Sequence, residues 1–180
     1  LIDDTRIYDY ALTADQVRQI YNETASIKMV KQENTTSTTN NPVAWWKMDE
    51  SLGDGTYLDL NATYYGQASN NTIHDITTED ISISAWVKWD SDGSGSSMIQ
   101  SKRTTAEGYT FYLNSTNVVG FYMQDIGFIT YSLLGNTNVR DNKWHYVSAI
   151  IDKSDATQCK LFLDGVEDGT TNKVGVITNL

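Results

Sequence analysis

Four carboxylates and one side-chain amide fall within one short run: Asp49, Glu50, Asp54, Asp59 and Asn61. Carboxylates and a side-chain amide on one loop form the donor set of a hard divalent cation. Calcium wants several such oxygens, drawn from loops. Ca2+ is therefore the cofactor this loop would take, although the same composition also describes a solvated turn. A second acidic run, Asp90 to Gly95 (DSDGSG), carries Asp90 and Asp92 but lacks the distal bidentate Glu of an EF-hand, so its signal is weaker. Trp89 stands directly before it. Its position predicts an exposed indole on which a sugar ring could stack, and Trp89 is the candidate ligand-binding residue. The other tryptophans, Trp45, Trp46, Trp86 and Trp144, are read as core, because each buries a large apolar area.

Catalysis would need a constellation, and none is present. No E-x-D-x-E pattern places two carboxylates in one groove. Asp49 and Glu50 are adjacent and would point opposite ways on a strand. The chain has two histidines, His74 and His145, with no H-x-H or H-E-x-x-H spacing for zinc. There is no G-x-S-x-G and no phosphate loop. Cys159 has no base near it in sequence. The expectation is a protein that is not an enzyme.

N-x-[ST] sequons occur at Asn22, Asn34, Asn61, Asn70 and Asn114. All fall where turns, linkers or element ends are expected, which suits glycosylation of an extracellular or cell-surface protein. A polar-loop protein that carries no glycan would show the same residues. The formal charge of -10 argues against nucleic acid and anionic membranes as partners and permits a cation. No stretch is apolar enough to insert in a membrane. One cysteine cannot form an internal disulfide, and its strand-like setting predicts a buried thiol.

The elements that must carry these groups read as strands. In Asp141 to Gly165, the alternates Trp144, Tyr146, Ser148 and Ile150 lie on one face and His145, Val147, Ala149 and Ile151 on the other. Both faces are mostly apolar, as in a strand covered on both sides. DKSDAT (152–157) is a turn by composition, and Cys159, Leu161 and Leu163 alternate on the return. Asp164-Gly165 opens a further turn. Gly108 to Leu113 and Val118 to Met123 pair as a hairpin. Met98 to Lys102 and Phe128 to Leu133 are further strands. Near the start, Leu1 to Tyr8 reads as a strand. Thr13 and Gln16 then form a capping box ahead of a short helix with Ala14, Val17, Ile20 and Tyr21 on one face. Lys28 to Asn41 is a Thr/Asn-rich linker, ended by Pro42, the one proline.

Three stretches together resemble the laminin G-like, concanavalin A-like jelly-roll family. They are Trp144-His145-Tyr146-Val147 with Leu161 to Gly165, then Ile81 to Val87 (ISISAWV), and Ile2 to Leu12 (IDDTRIYDYAL). The resemblance implies an all-β antiparallel β-sandwich with one short N-terminal helix, and mostly non-catalytic binding or spacer roles. It implies that residues 1–22 are the closing strand and helix of such a unit. They would belong to a preceding repeat or be donated between subunits, with Ile2, Ile7 and Tyr8 as the inter-subunit strand residues. Residues 23–42 would be linker, and 43–180 a sandwich still lacking its last strand. Relatives often hold calcium at the sandwich rim. Arg6 is expected to pair with an acidic neighbour and fix its strand. The implied function is a structural repeat of a surface or filamentous assembly, whose partners are copies of itself or neighbouring domains. The alternative is a calcium-dependent adhesion module binding carbohydrate or a surface protein.

Overall fold

The computed structural model describes residues 1–25, 42, 44–46, 80–103, 107–124, 130–155 and 158–173. Along the chain these form β1 (Ile2–Tyr8), α1 (Ala14–Ala25), β2 (Ala44–Trp46), β3 (Ile81–Lys88), β4 (Ser97–Arg103) and β5 (Gly108–Leu113). Then follow β6 (Val119–Gln124), β7 (Thr130–Leu134), β8 (Trp144–Ile151), β9 (Lys160–Leu163), β10 (Val166–Glu167) and β11 (Thr170–Lys173). Two antiparallel sheets result. One has the order β10-β9-β8-β3-β1-β2 and the other β11-β7-β6-β5-β4.

Alternation explains the packing. Ile81, Ile83, Ala85 and Val87 of β3 and Val147, Ala149 and Ile151 of β8 face Phe111, Leu113, Phe121, Met123 and Leu133 of the other sheet. This is the inter-sheet core of a β-sandwich. The opposite faces of β3 and β8 are covered too. Tyr146, Ile150 and Phe162 form a second cluster with Tyr8, Leu12, Val17 and Ile20, so α1 lies across the back of the six-stranded sheet. Strands buried on both sides read as near-continuous apolar runs, as the Tyr146 to Ile151 stretch does.

β1 needs a correction of parity to fit. The register shifts between Asp3 and Arg6, and Asp4 has φ +49. This bulge lets Ile2 and Ile7, an even and an odd position, face the same core, while Tyr8 turns to α1. Arg6 closes on Asp4 at 2.9 Å, which fixes the kink from within the strand. The expected capping box is present. Thr13 N–H donates to Gln16 Oε1 at 2.7 Å and Gln16 N–H to Thr13 Oγ1 at 3.2 Å. Asp164 and Gly165 both have positive φ, +50 and +78, the two-residue hairpin turn joining β9 to β10.

The segment expected to close a preceding repeat, or to be donated, sits here in its own chain's sheet. β1 pairs with β3 through Ile7↔Ile83 and Tyr8↔Ser82, and with β2 through Ile7↔Ala44. The physical reason is that β3 offers a free ladder edge and α1 has an apolar stripe to bury. Two smaller expectations shift. α1 runs past Asn22 to Ala25, and β9 begins at Lys160, with buried Cys159 just ahead of it.

Candidate ligand-binding face

The outer side of the five-stranded sheet offers the most recognition chemistry. In β5, Tyr109, Phe111 and Leu113 point into the core, so Thr110 and Tyr112 point out. In β6, Phe121 and Met123 point in, so Gly120, Tyr122 and Gln124 point out. The registers Thr110↔Tyr122 and Tyr122↔Ser132 place a hydroxyl on each side of the Tyr122 ring. Ser101 extends this row, with its Oγ 3.1 Å from Thr110 Oγ1.

Two aromatic rings are fixed on this face. Tyr112 lies over Gly120, the residue opposite it in the ladder, and a Cβ there would come within 2.7 Å of Tyr112 Cζ. Burial of the Tyr112 phenol raises its pKa above the ordinary value. Tyr122 carries the Arg103 guanidinium 4.8 Å above its ring centroid. Gln124 Oε1 accepts from Arg103 Nη2 at 2.9 Å and from the Tyr122 hydroxyl at 3.3 Å. Across the described side chains of β4 to β7, no outward group is a carboxylate, although the whole chain is at -10. The face thus offers flat apolar rings edged by neutral donors and acceptors, with one cation. It can stack and hydrogen-bond a polar ring.

The acidic loop read as a calcium site, Asp49, Glu50, Asp54, Asp59 and Asn61, lies outside the described residues, as do the sequons at Asn34, Asn61 and Asn70. Among the described residues no three His, Cys, Asp or Glu side chains group to hold a metal. Asn22 is exposed on α1. Asn114 is half-buried at the β5–β6 turn, where its Oδ1 accepts from Thr116 N, Thr116 Oγ1 and Val118 N at 2.9–3.0 Å.

Trp89 is a correction. It is 9% exposed and packed in the inter-sheet core. The reason is parity: 81, 83, 85 and 87 point inward along β3, and the alternation carries Trp89 in after them. Trp144, at the start of β8, is instead 37% exposed. The loop after Trp89 is held by a protein cation. Arg140, itself buried, donates from Nη2 to the Gly95 carbonyl at 2.9 Å, and Gly93 leaves room for its Nη1. The carbonyls of DSDGSG thus face a guanidinium.

His145 is also occupied. Its Nδ1 is 2.8 Å from Asp164 Oδ2 and its Nε2 3.0 Å from Asp141 Oδ1. The hydrogen bond to Asp164 raises the imidazole pKa against the opposing effect of burial. The bonds from His145 and Lys143 lower Asp141 to about 2. Both ring nitrogens are engaged, so this trio ties the start of β8 to the β9–β10 turn.

The Tyr112 and Tyr122 face was legible and was missed. Reading Gly108 to Gln124 strictly in alternation separates Tyr109, Phe111, Phe121 and Met123 from Tyr112, Tyr122 and Gln124.

A two-sheet antiparallel sandwich with one face covered by a helix and another face carrying fixed aromatic rings defines a binding or structural module. The chain belongs to the concanavalin A-like lectin/glucanases superfamily, whose Laminin_G_3 model matches residues 59–180. β1 and α1 precede that match. Neither the curated proteins nor the solved structures compared with it gave a match. No helix among the described residues is long and apolar enough to cross a membrane.

Proposed function

We propose that this chain is a non-catalytic module of an extracellular or cell-surface protein that holds a glycan on the outer face of its five-stranded sheet. The observation that carries the reading is the pair Tyr112 and Tyr122. One ring is seated over Gly120 and the other is capped by Arg103, on a face bordered by Thr110, Gln124 and Ser132. Rings held in place lose little entropy when a sugar stacks on them. Calcium at the loop of Asp49 to Asn61 and a glycan at Asn22, exposed on α1, accompany this reading.

The test is binding to a panel of soluble polysaccharides by affinity electrophoresis and calorimetry. Tyr112→Ala and Tyr122→Ala should each weaken binding roughly tenfold, about 1.4 kcal/mol for a lost stacking platform. Trp89→Phe, in the core, should leave affinity unchanged once folding is verified. No binding to any polysaccharide, or binding by both tyrosine variants as tight as that of the parent chain, would overturn the reading.

A second reading has its own support. The unit is a structural repeat in an assembly made by strand addition, and what supports it is that β1, remote in sequence from β3, lies at an internal position between β2 and β3.

A further inference from the structure

β1 and α1 together behave as a plug. They fill a slot whose walls come from elsewhere in the chain: β3 on one side, β2 on the other, and Tyr146, Ile150 and Phe162 as floor. Into it go Ile2, Ile7, Tyr8, Leu12, Val17 and Ile20, all buried.

The plug carries much of its own polar chemistry. Arg6 pairs with Asp4, Arg18 with Asp15, and Thr13 with Gln16, all inside the segment. To the body it offers a backbone ladder, a Leu1 N–H that donates to the Lys88 carbonyl at 2.8 Å, an apolar stripe with the Tyr21 ring against Trp86 and Tyr146, and the Leu12 N–H, which donates to Ser82 Oγ at 2.8 Å; that hydroxyl in turn donates to the Tyr10 carbonyl at 2.7 Å. Nothing in this set of contacts requires that plug and slot share a chain.

Covalent connection is through residues 26–43, a stretch of about 18 residues that reaches at most roughly 60 Å when extended. Before the plug docks, β3 presents a bare ladder edge beside an apolar floor, a template that any copy can complete.

We propose that the β1–α1 segment is exchanged between two copies of this chain, each filling the other's slot between β2 and β3. A reciprocal exchange reproduces every contact of the plug across the two chains. The balance between monomer and exchanged dimer then rests on connectivity alone. A tether of about 18 residues keeps its own plug at an effective concentration on the order of millimolar. The dimer therefore takes over as copies approach that density, as they would on a crowded surface or in an array. Leaving the slot means stripping a seven-residue strand and an apolar helix face, so a dimer once formed persists on dilution. The inference is independent of glycan binding.

The test starts with the full unmodified chain, refolded from denaturant at roughly micromolar and roughly millimolar concentration and then diluted for light scattering. The expected result is a dimer fraction that rises several-fold with refolding concentration and survives dilution. Two single variants, Arg6→Cys and Ser84→Cys, each with Cys159→Ala, are then refolded together under mild oxidant. Arg6 and Ser84 are ladder partners, within the reach of a disulfide. A covalent heterodimer in the mixture, absent from either variant alone, is the signature of exchange. A monomer at every refolding concentration overturns the proposal. So does a dimer whose mixed cysteines never link although the double variant closes its own disulfide.

Discussion

Tyr112 lies over Gly120: a Cβ on that glycine would stand 2.7 Å from the tyrosine Cζ and 2.9 Å from its hydroxyl oxygen. The clashing atoms are the far end of a side chain that can swing outward, so relief is cheap in folding energy and costly in ring position. Gly120→Ala should therefore lower stability by no more than about 1 kcal/mol. It should weaken polysaccharide binding as much as Tyr112→Ala does. Calorimetric binding beside urea denaturation of the same variant separates the two effects.

The His145 trio sets a pH window. Its imidazole is raised above the ordinary 6.5, so its contribution is complete below that value and is lost as pH climbs through the raised native pKa. Asp141 is lowered from 3.8 to about 2, so its contribution is present above 3.8 and disappears as pH falls toward 2. The Tm of the parent chain should fall on the alkaline side of 6.5. His145→Gln should flatten that fall, and the difference between the two curves removes other titrating groups.

Arg140 and Gly93 are coupled. A Cβ at Gly93 would overlap the Arg140 Nη1. Gly93→Ala should destabilise the chain by about 1–3 kcal/mol through the displaced guanidinium. In an Arg140→Met background, which removes the obstacle, the same substitution should cost much less. Denaturation of the four proteins in the cycle gives the coupling directly.

Calcium has a direct reading. If the Asp49 to Asn61 loop binds it, EDTA should lower Tm and added Ca2+ should restore it, with Asp54→Asn plus Asp59→Asn removing the response. Identical melting curves with and without EDTA would dispose of the metal.

Much of the sandwich was readable because strand alternation is a local signal. Tyr146 to Ile151 announced two-sided burial, and Thr13 with Gln16 announced the helix start. Trp89 failed because its environment looked like loop while its parity belonged to β3. Parity was also hidden in β1, where one bulge at Asp4 puts Ile2 and Ile7 on the same side. The bond between His145 and Asp164 joins residues in two motifs whose closeness only the ladder reveals. The berth of β1 was the hardest to read, because its pairing with β3 joins residues far apart in sequence, such as Ile7 and Ile83, and no local pattern encodes it.

Because the helix and the second sheet between them seal β3 and β8, the parts that keep this molecule folded are largely not the parts that meet its surroundings. Outward positions such as Thr110, Tyr122 and Ser132 are free to drift in sequence at little structural risk. A lineage built on this chassis could change what it grips many times over while its six-stranded wall stays nearly unaltered.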